Sequence, residues 1–173
     1  SLYSMKSVNS SANPITTVQN GENYKGINVE TLTMTDNPIT VYPVEFAKSK
    51  SKIGFVNMRG CRLSDVPEEA FEGENVKYLM SLDFSYNDLN DLPSSFNAVN
   101  MPYFYGLELS YNEFSKFPYE PLDCYGLTVF AIRGQRDKNG DRCLSEWPTG
   151  IYQHVGLRGF YIGSNNLGMI NDT

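Results

Sequence analysis

The chain has 173 residues, of which 40% are hydrophobic and 20% charged, and its net charge is −6 with a pI of about 4.8. An acidic chain without basic clusters argues against a nucleic-acid partner, because such proteins need positive charge against the phosphates. No run of 18 apolar residues is present, so the sequence predicts no membrane-spanning helix in this segment.

Residues 1–28 hold the weakest copy of a pattern that recurs along the whole chain. Ser10 interrupts the apolar face of this copy, and Gln19 stands where later copies carry Pro. The segment is therefore predicted to be a weak first repeat or an N-terminal cap. Residues 29–173 are predicted to form six further repeats in one continuous domain, with an insertion at about 136–142.

The pattern is clearest over residues 79–93, which read Leu-x-x-Leu-x-Phe-x-x-Asn-x-Leu-x-x-Leu-Pro, and it recurs over 104–118. The Asn or its substitute forms a ladder at spacings of 23 to 30 residues: Asn13, Asn37, Cys61, Asn87, Asn112, Gln135 and Asn165. Once the insertion is allowed for, the five slots around each ladder position are apolar, counting Tyr, except at Ser10. A period of this length predicts a solenoid in which each coil contacts its neighbours.

Each repeat is predicted to contain a short strand followed by an irregular return. The residues around the second apolar slot alternate, which indicates a strand with one buried face. The ladder Asn follows where the chain leaves the strand, and its amide can satisfy buried backbone groups of the turn. Pro follows the apolar slots in five copies and disfavours helix, so the returns are predicted to be extended or 3-10.

This pattern resembles the leucine-rich-repeat signature, L-x-x-L-x-L-x-x-N/C-x-L, over nearly the whole chain. The resemblance implies an α/β-type repeat solenoid: a right-handed, curved superhelix with a parallel sheet of short strands on its concave face. The convex returns would be extended or 3-10, with little α-helix. Frequent Tyr, Asn and Ser with few charges further indicate an extracellular or cell-surface bacterial protein, either secreted or anchored.

The outward side chains of the strands form the concave face, which is the first candidate site. Its middle gathers two carboxylates between two arginines, and the turns add tyrosines. The predicted contact residues are Arg59, Asp83, Tyr86, Glu108, Tyr111, Arg133 and Tyr161. Phe55 and Val129 would add apolar area at the rim. An aromatic face beside carboxylates suits a sugar or a peptide. The alternative is that the charges only neutralise each other across strands, and that the tyrosines are shared turn residues.

Catalysis is not predicted. Asp83 and Glu108 would lie roughly 5 Å apart on adjacent strands, near the separation that retaining glycosidases use. An open face, however, offers nothing to exclude water, and the pattern places no nucleophile near the single His154. The sequence therefore predicts a non-enzymatic module that binds a protein or a glycan. The alternative is a structural spacer in a larger surface protein whose activity lies elsewhere.

The insertion is the second candidate site. Asp137, Asn139 and Asp141 stand at alternate positions, as the first ligands of an EF-hand loop do, and can wrap one Ca²⁺. Arg142 and Pro148 stand where such a loop needs Gly and a bidentate Glu. A polar surface loop with a tight turn is therefore the alternative. No other cofactor is predicted.

The ends and the cysteines leave further alternatives open. Solenoids need polar caps, and neither end carries a recognisable one. The natural protein is expected to continue at one or both ends, or to have an end covered by a partner, and the uncapped ends also suggest self-association. Cys124 and Cys143 lie in adjacent repeats, and the sequence does not decide whether they pair.

Overall fold

The computed structural model describes residues 7–17, 29–48 and 51–168. In this part of the chain, seven three-residue strands form one parallel sheet in sequence order. They are β1 (Ser7–Asn9), β2 (Thr31–Thr33), β3 (Phe55–Asn57), β4 (Ser81–Asp83), β5 (Gly106–Glu108), β6 (Val129–Ala131) and β7 (Gly159–Tyr161). Equivalent residues of successive repeats pair in register, so each position of the repeat forms a column across the sheet.

The returns contain little α-helix. Within the described ranges one short α-helix, α1 (Glu45–Lys48), is present, together with 3-10 turns at Glu68–Phe71, Val76–Tyr78, Glu120–Asp123 and Thr149–Gln153. The sheet is open and parallel, and the returns are mostly irregular. These features confirm the predicted class, a curved solenoid of parallel-strand repeats. Gln19 and most of the predicted first repeat lie outside the described residues, so the boundary at residue 28 stays a prediction.

The core is a continuous column of apolar side chains between the sheet and the returns. The central residue of each strand points into it, as Leu82, Leu107 and Phe130 do at 1%, 2% and 0% exposure. Aromatic rings close the column from the convex side. The Phe96 ring packs edge to face on Phe71 and Phe104, with ring centroids 4.9 and 5.1 Å apart. Because all repeats share this core, their outward-facing side chains line up in columns across the sheet.

Ladder amides join the turns of neighbouring repeats. The Asn112 Nδ2 donates to the carbonyls of Phe84 (2.9 Å) and Leu109 (3.0 Å), and its Oδ1 accepts from the N–H of Leu89 (3.0 Å). Asn87 makes the equivalent three bonds one coil earlier. Both side chains are buried. Each amide therefore satisfies three backbone groups that no strand or helix bond reaches.

Cys61 and Gln135 continue the ladder with different chemistry. The Cys61 thiol donates to the Met34 carbonyl over 2.9 Å, and burial raises the pKa of this thiol, which keeps its proton in place. The longer Gln135 side chain donates to the Leu109 carbonyl (2.9 Å) and accepts from the N–H of Phe114 (3.1 Å). The turn before the insertion is thus also held by a side-chain amide.

Candidate binding site on the concave face

The residue before each ladder position adopts the left-handed backbone conformation in every repeat. Its φ lies between 55° and 68° at Ala12, Asp36, Gly60, Tyr86, Tyr111, Gly134 and Ser164. This conformation costs an L residue about 1–2 kcal/mol, and Gly adopts it freely. A bulky residue there is uncommon. Two repeats nevertheless place Tyr at this position, side by side at the edge of the sheet.

Tyr86 and Tyr111 stack on each other, with ring centroids 4.4 Å apart and planes inclined by 27°. Tyr111 covers one face of the Tyr86 ring. The Arg59 guanidinium lies 3.9 Å from the Tyr86 centroid and covers the other face. The second side of Tyr111 lies against Gly134, where an added Cβ would sit 2.7 Å from the ring. These four residues, Arg59, Tyr86, Tyr111 and Gly134, are called the tyrosine stack below.

The stack changes what the tyrosines can offer a ligand. Tyr86 and Tyr111 are 46% and 41% exposed, but both faces of the Tyr86 ring and one face of the Tyr111 ring are covered. The sequence had suggested open aromatic faces. The sequence analysis also missed Gly134. It could have been found as a Gly at the turn position one repeat after Tyr111.

The two central carboxylates are bonded to the ends of their own strands. Asp83 Oδ1 accepts from the N–H (2.9 Å) and the hydroxyl (2.6 Å) of Ser85. Glu108 Oε1 accepts from the N–H of Ser110 (2.8 Å). Asp83 and Glu108 are register partners on β4 and β5. Ser85 and Ser110 are only 2% exposed, because neighbouring groups of the same face cover them: Ser85 Oγ also accepts from Arg59 Nη1, and Ser110 Oγ accepts from the N–H of Arg133.

The two arginines rest on tyrosines rather than on close ion pairs. The Arg133 guanidinium lies 4.4 Å from the Tyr161 centroid, and its Nη1 is 3.9 Å from Glu108 Oε2. Arg59 Nη1 donates to Ser85 Oγ over 3.4 Å. In the described part of the chain no ion pair involves Arg59. Of the four charged side chains on the concave face, only Arg133 and Glu108 are paired among the described residues, and their contact is long.

The opposite border of the concave face is apolar. Phe55 and Val129 are 38% and 42% exposed, and Ser81 and Gly106 lie between them in register. Ser81 and Gly106 belong to the same row as Phe55 and Val129, so this border is low in its middle. A Cβ added at Gly106 would come within 3.1 Å of Ser81 Oγ. The site is thus a trough, bordered by the tyrosine stack on one side and by Phe55 and Val129 on the other.

The insertion is closed by its own hydrogen bonds. Asp137 Oδ1 accepts from the N–H groups of Asn139 (2.8 Å) and Asp141 (3.0 Å), and Gly140 has a φ of 85°. No group of three or more His, Cys, Asp or Glu that could hold a metal ion occurs among the described residues. The geometry favours the surface-loop alternative, and calcium at Asp137, Asn139 and Asp141 stays a prediction for calorimetry to test.

The cysteines are all free thiols, including Cys124 and Cys143. Burial raises the pKa of Cys124 to about 12, which keeps this thiol protonated and unreactive at neutral pH. The Cys143 thiol instead donates to the Phe114 carbonyl over 3.3 Å. These thiols therefore contribute to packing and hydrogen bonding.

Solved structures share this architecture. A leucine-rich-repeat protein from Bacteroides thetaiotaomicron VPI-5482 matches with a TM-score of 0.92 and 34% identity, and one from Bacteroides eggerthii DSM 20697 with 0.89 and 36%. Both matches cover 100% of this chain, which spans 22% and 30% of those two proteins. With its ladder, sheet and returns, the chain belongs to the leucine-rich-repeat family. No protein-family model and no curated protein matches it.

A more distant match shows the fold alone. It is the leucine-rich-repeat ectodomain of the plant membrane receptor kinase GASSHO1/SCHENGEN3 from Arabidopsis thaliana, in complex with CASPARIAN STRIP INTEGRITY FACTOR 2. Its TM-score is 0.59 at 17% identity, and the match covers 91% of this chain and 22% of that one. Within the residues described here, no helix is long and apolar enough to cross a membrane.

Proposed function

We propose that this chain is a non-enzymatic module that holds a protein partner in the trough on its concave face. The observation that carries the proposal is the tyrosine stack, in which two half-exposed tyrosines keep a left-handed backbone that Gly would adopt freely. The turn imposes this conformation in every repeat, and only these two repeats place a bulky aromatic residue there. Tyr and Arg are also the residues on which protein interfaces most depend.

A protein fits the stack better than a glycan does. A sugar ring packs its C–H groups on an open aromatic face, whereas both faces of Tyr86 and one face of Tyr111 are covered, and Gly134 approaches the other side of Tyr111. What remains is the positive edge of each ring and its hydroxyl group. Together with the guanidinium N–H groups, these donors suit the carbonyl oxygens and acidic side chains of a polypeptide.

The carboxylates support binding rather than catalysis. Asp83 and Glu108 each commit one oxygen to the N–H of their own strand end, so they are fixed acceptors in an open trough. We further propose an extracellular or cell-surface location. It is supported by the similarity of fold to the plant ectodomain, which is itself described in a complex with a partner.

A scaffold role within a longer protein is the second candidate. It is favoured by the length of the relatives, because this chain spans only 22% and 30% of the two Bacteroides proteins. A scaffold does not need the tyrosine stack for recognition. Substitutions in the stack would then leave every interaction of the longer protein unchanged.

The test compares the purified chain with a Tyr86→Ala/Tyr111→Ala variant on a protein array and a glycan array. We expect protein hits whose affinity falls about 30-fold or more in the variant, as for central aromatic contacts. The melting temperature should stay within about 4 °C. Tyr125→Ala is the matched control, because Tyr125 is 86% exposed and lies outside the trough. Hits on glycans alone, or protein hits that the variant retains, would contradict the proposal.

A further inference from the structure

The apolar border of the trough continues outward onto an uncharged band. In the four repeats that contain β3 to β6, the residue before each strand also bonds to the preceding repeat. This residue and the first residue of the strand are called the apolar band below, and none of its eight members is charged. They are Gly54 and Phe55, Met80 and Ser81, Tyr105 and Gly106, and Thr128 and Val129.

Hydrogen bonds within the sheet use up the backbone groups of the band. The Gly54 carbonyl accepts from the N–H groups of Met80 (2.8 Å) and Ser81 (3.1 Å), and the Met80 carbonyl accepts from those of Tyr105 (2.9 Å) and Gly106 (3.2 Å). Each pair of the band donates both of its N–H groups to one carbonyl of the preceding repeat in this way. Both lone pairs of that carbonyl are then occupied. A partner therefore meets side chains here rather than free backbone groups.

Four large apolar side chains stand in the band, one in each repeat. Met80 and Tyr105 are 37% and 39% exposed, close to the exposure of Phe55 and Val129 in the repeats on either side. The Met80 Sδ lies 3.9 Å from the position that a Cβ on Gly54 would take, so this side chain leans toward the repeat of Phe55. The four side chains therefore follow one another from repeat to repeat as a contiguous apolar surface, and such surfaces mark interaction sites.

Charged side chains lie on both sides of the band. Two residues before Met80, the Tyr78 ring has Lys52 and Lys77 over it, with their Nζ atoms 4.8 and 5.9 Å from the ring centroid. On the side of the trough, the charged residues follow two or four positions after members of the band, and they are Arg59, Asp83, Glu108 and Arg133. An uncharged apolar centre within polar surroundings has the composition of a protein interface.

We propose that the apolar band and the trough form one interface, and that the band takes an apolar side chain, aliphatic or aromatic, of the protein bound in the trough. This inference rests on the proposed function. The band adjoins the trough along Phe55 and Val129, so a partner that extends past this border covers Met80 and Tyr105 as well. The Met80 side chain adapts to the group that it meets, and the Tyr105 ring adds a large area that loses water on contact. The partner thus presents acceptor groups to the tyrosine stack and an apolar group to the opposite border, which fixes its orientation across the sheet.

The test measures how the protein hits from the array bind a Met80→Ser/Tyr105→Ser variant of the whole chain, by calorimetry at several temperatures. We expect binding to weaken about tenfold or more. The heat-capacity change of binding should become less negative, because less apolar surface is buried. Val99→Ser/Tyr152→Ser is the matched control, because these side chains are 90% and 69% exposed and lie in the returns, and it should leave both quantities unchanged. Met80→Gln keeps the unbranched stem and should weaken binding in the same direction even if the double variant fails to fold.

The outcomes separate this inference from the proposed function. Suppose that hits are lost in the Tyr86→Ala/Tyr111→Ala variant but bind the band variants with unchanged affinity and heat-capacity change. The inference is then overturned, and the proposed function stands. Equal losses in the band variants and in the control would also overturn it. Hits that need the band but not the tyrosines, or hits on glycans alone, would contradict the proposed function and this inference together.

Discussion

Tyr86 and Tyr111 stack at 4.4 Å although both hold a left-handed backbone, with φ of 57° and 61°. The ladder turn imposes this conformation, because all seven repeats use it. An aromatic pair contributes about 0.5–1.5 kcal/mol beyond its buried area, whereas each left-handed residue costs about 1–2 kcal/mol. The ring contact, with the area it buries, and the backbone cost are therefore of similar size, so the stack brings little net stability, and we assign it a role in recognition.

Replacing either tyrosine by Gly separates recognition from stability. In Tyr86→Gly and Tyr111→Gly, relief of the backbone cost opposes loss of the ring contact, so the free energy of unfolding should change by less than about 1 kcal/mol. Partner affinity should fall sharply. Denaturant unfolding and a binding assay measure the two effects. A loss of stability above about 2 kcal/mol would mean that the rings are structural instead.

Gly134→Ala should destabilise the chain through Tyr111. The new Cβ would lie 2.7 Å from the Tyr111 ring at a φ of 62°, so we expect a loss of about 2–4 kcal/mol from strain and clash together. In a Tyr111→Ala background the clash disappears, which predicts coupling of about 1 kcal/mol or more in a double-mutant cycle.

Gly140→Ala is the matched control for this cycle. Gly140 also has a positive φ, 85°, but nothing lies within 4 Å of an added Cβ. It reports the backbone strain alone and should show no coupling to Tyr111→Ala. Strictly additive effects of Gly134→Ala and Tyr111→Ala would show that the ring does not rest on Gly134.

Asn112→Ala should be among the most destabilising single changes. It removes three hydrogen bonds and leaves the buried Leu89 N–H without its acceptor, whereas the Phe84 and Leu109 carbonyls keep bonds from Asn87 and Gln135. We expect a loss of about 2–4 kcal/mol in the free energy of unfolding, measured by denaturant titration. Asn90→Ala, at an exposed position, should change it by less than about 0.5 kcal/mol. Similar effects of the two variants would contradict the bridging role of the ladder.

Glu68 and Glu120 predict opposite responses to pH. Hydrogen bonds from the Ser95 N–H, and then from the Ser94 hydroxyl and N–H, hold the pKa of Glu68 below its usual value. Its stabilising effect is present above the unfolded-state pKa of about 4.3 and is lost as the pH falls through the lowered folded-state value. Burial raises the pKa of Glu120. Its ionised form therefore destabilises the fold once the pH rises past the unfolded-state value.

Thermal melts of two variants across pH measure this difference. Glu68→Gln should lower the melting temperature at pH 7 and approach wild type in strong acid. Glu120→Gln should raise the melting temperature at pH 7. This gain should fade as the pH falls below the unfolded-state pKa of glutamate, about 4.3. Equal shifts at every pH would show that neither carboxylate has the assigned pKa change.

The sequence was sufficient to predict the columns of the fold. Constant spacing of the ladder residues puts Leu82 beside Leu107 and Asp83 beside Glu108, because every coil repeats the same backbone. Contacts between outward side chains do not follow from spacing. Coverage of Tyr86 by Arg59 depends on how a side chain leans toward the next repeat. Ser85 is buried because its hydroxyl donates to Asp83 Oδ1 and accepts from Arg59 Nη1, contacts that the spacing of the repeat does not reveal.

Side-chain oxidation footprinting, with and without a partner found on the array, tests the central claim most directly. The partner should protect Tyr86 and Tyr111 from oxidation, and leave Tyr125 and Tyr152, at 86% and 69% exposure, as reactive as in the free chain. Protection of Tyr125 and Tyr152 with unchanged Tyr86 and Tyr111 would place the partner elsewhere and contradict recognition by the concave face.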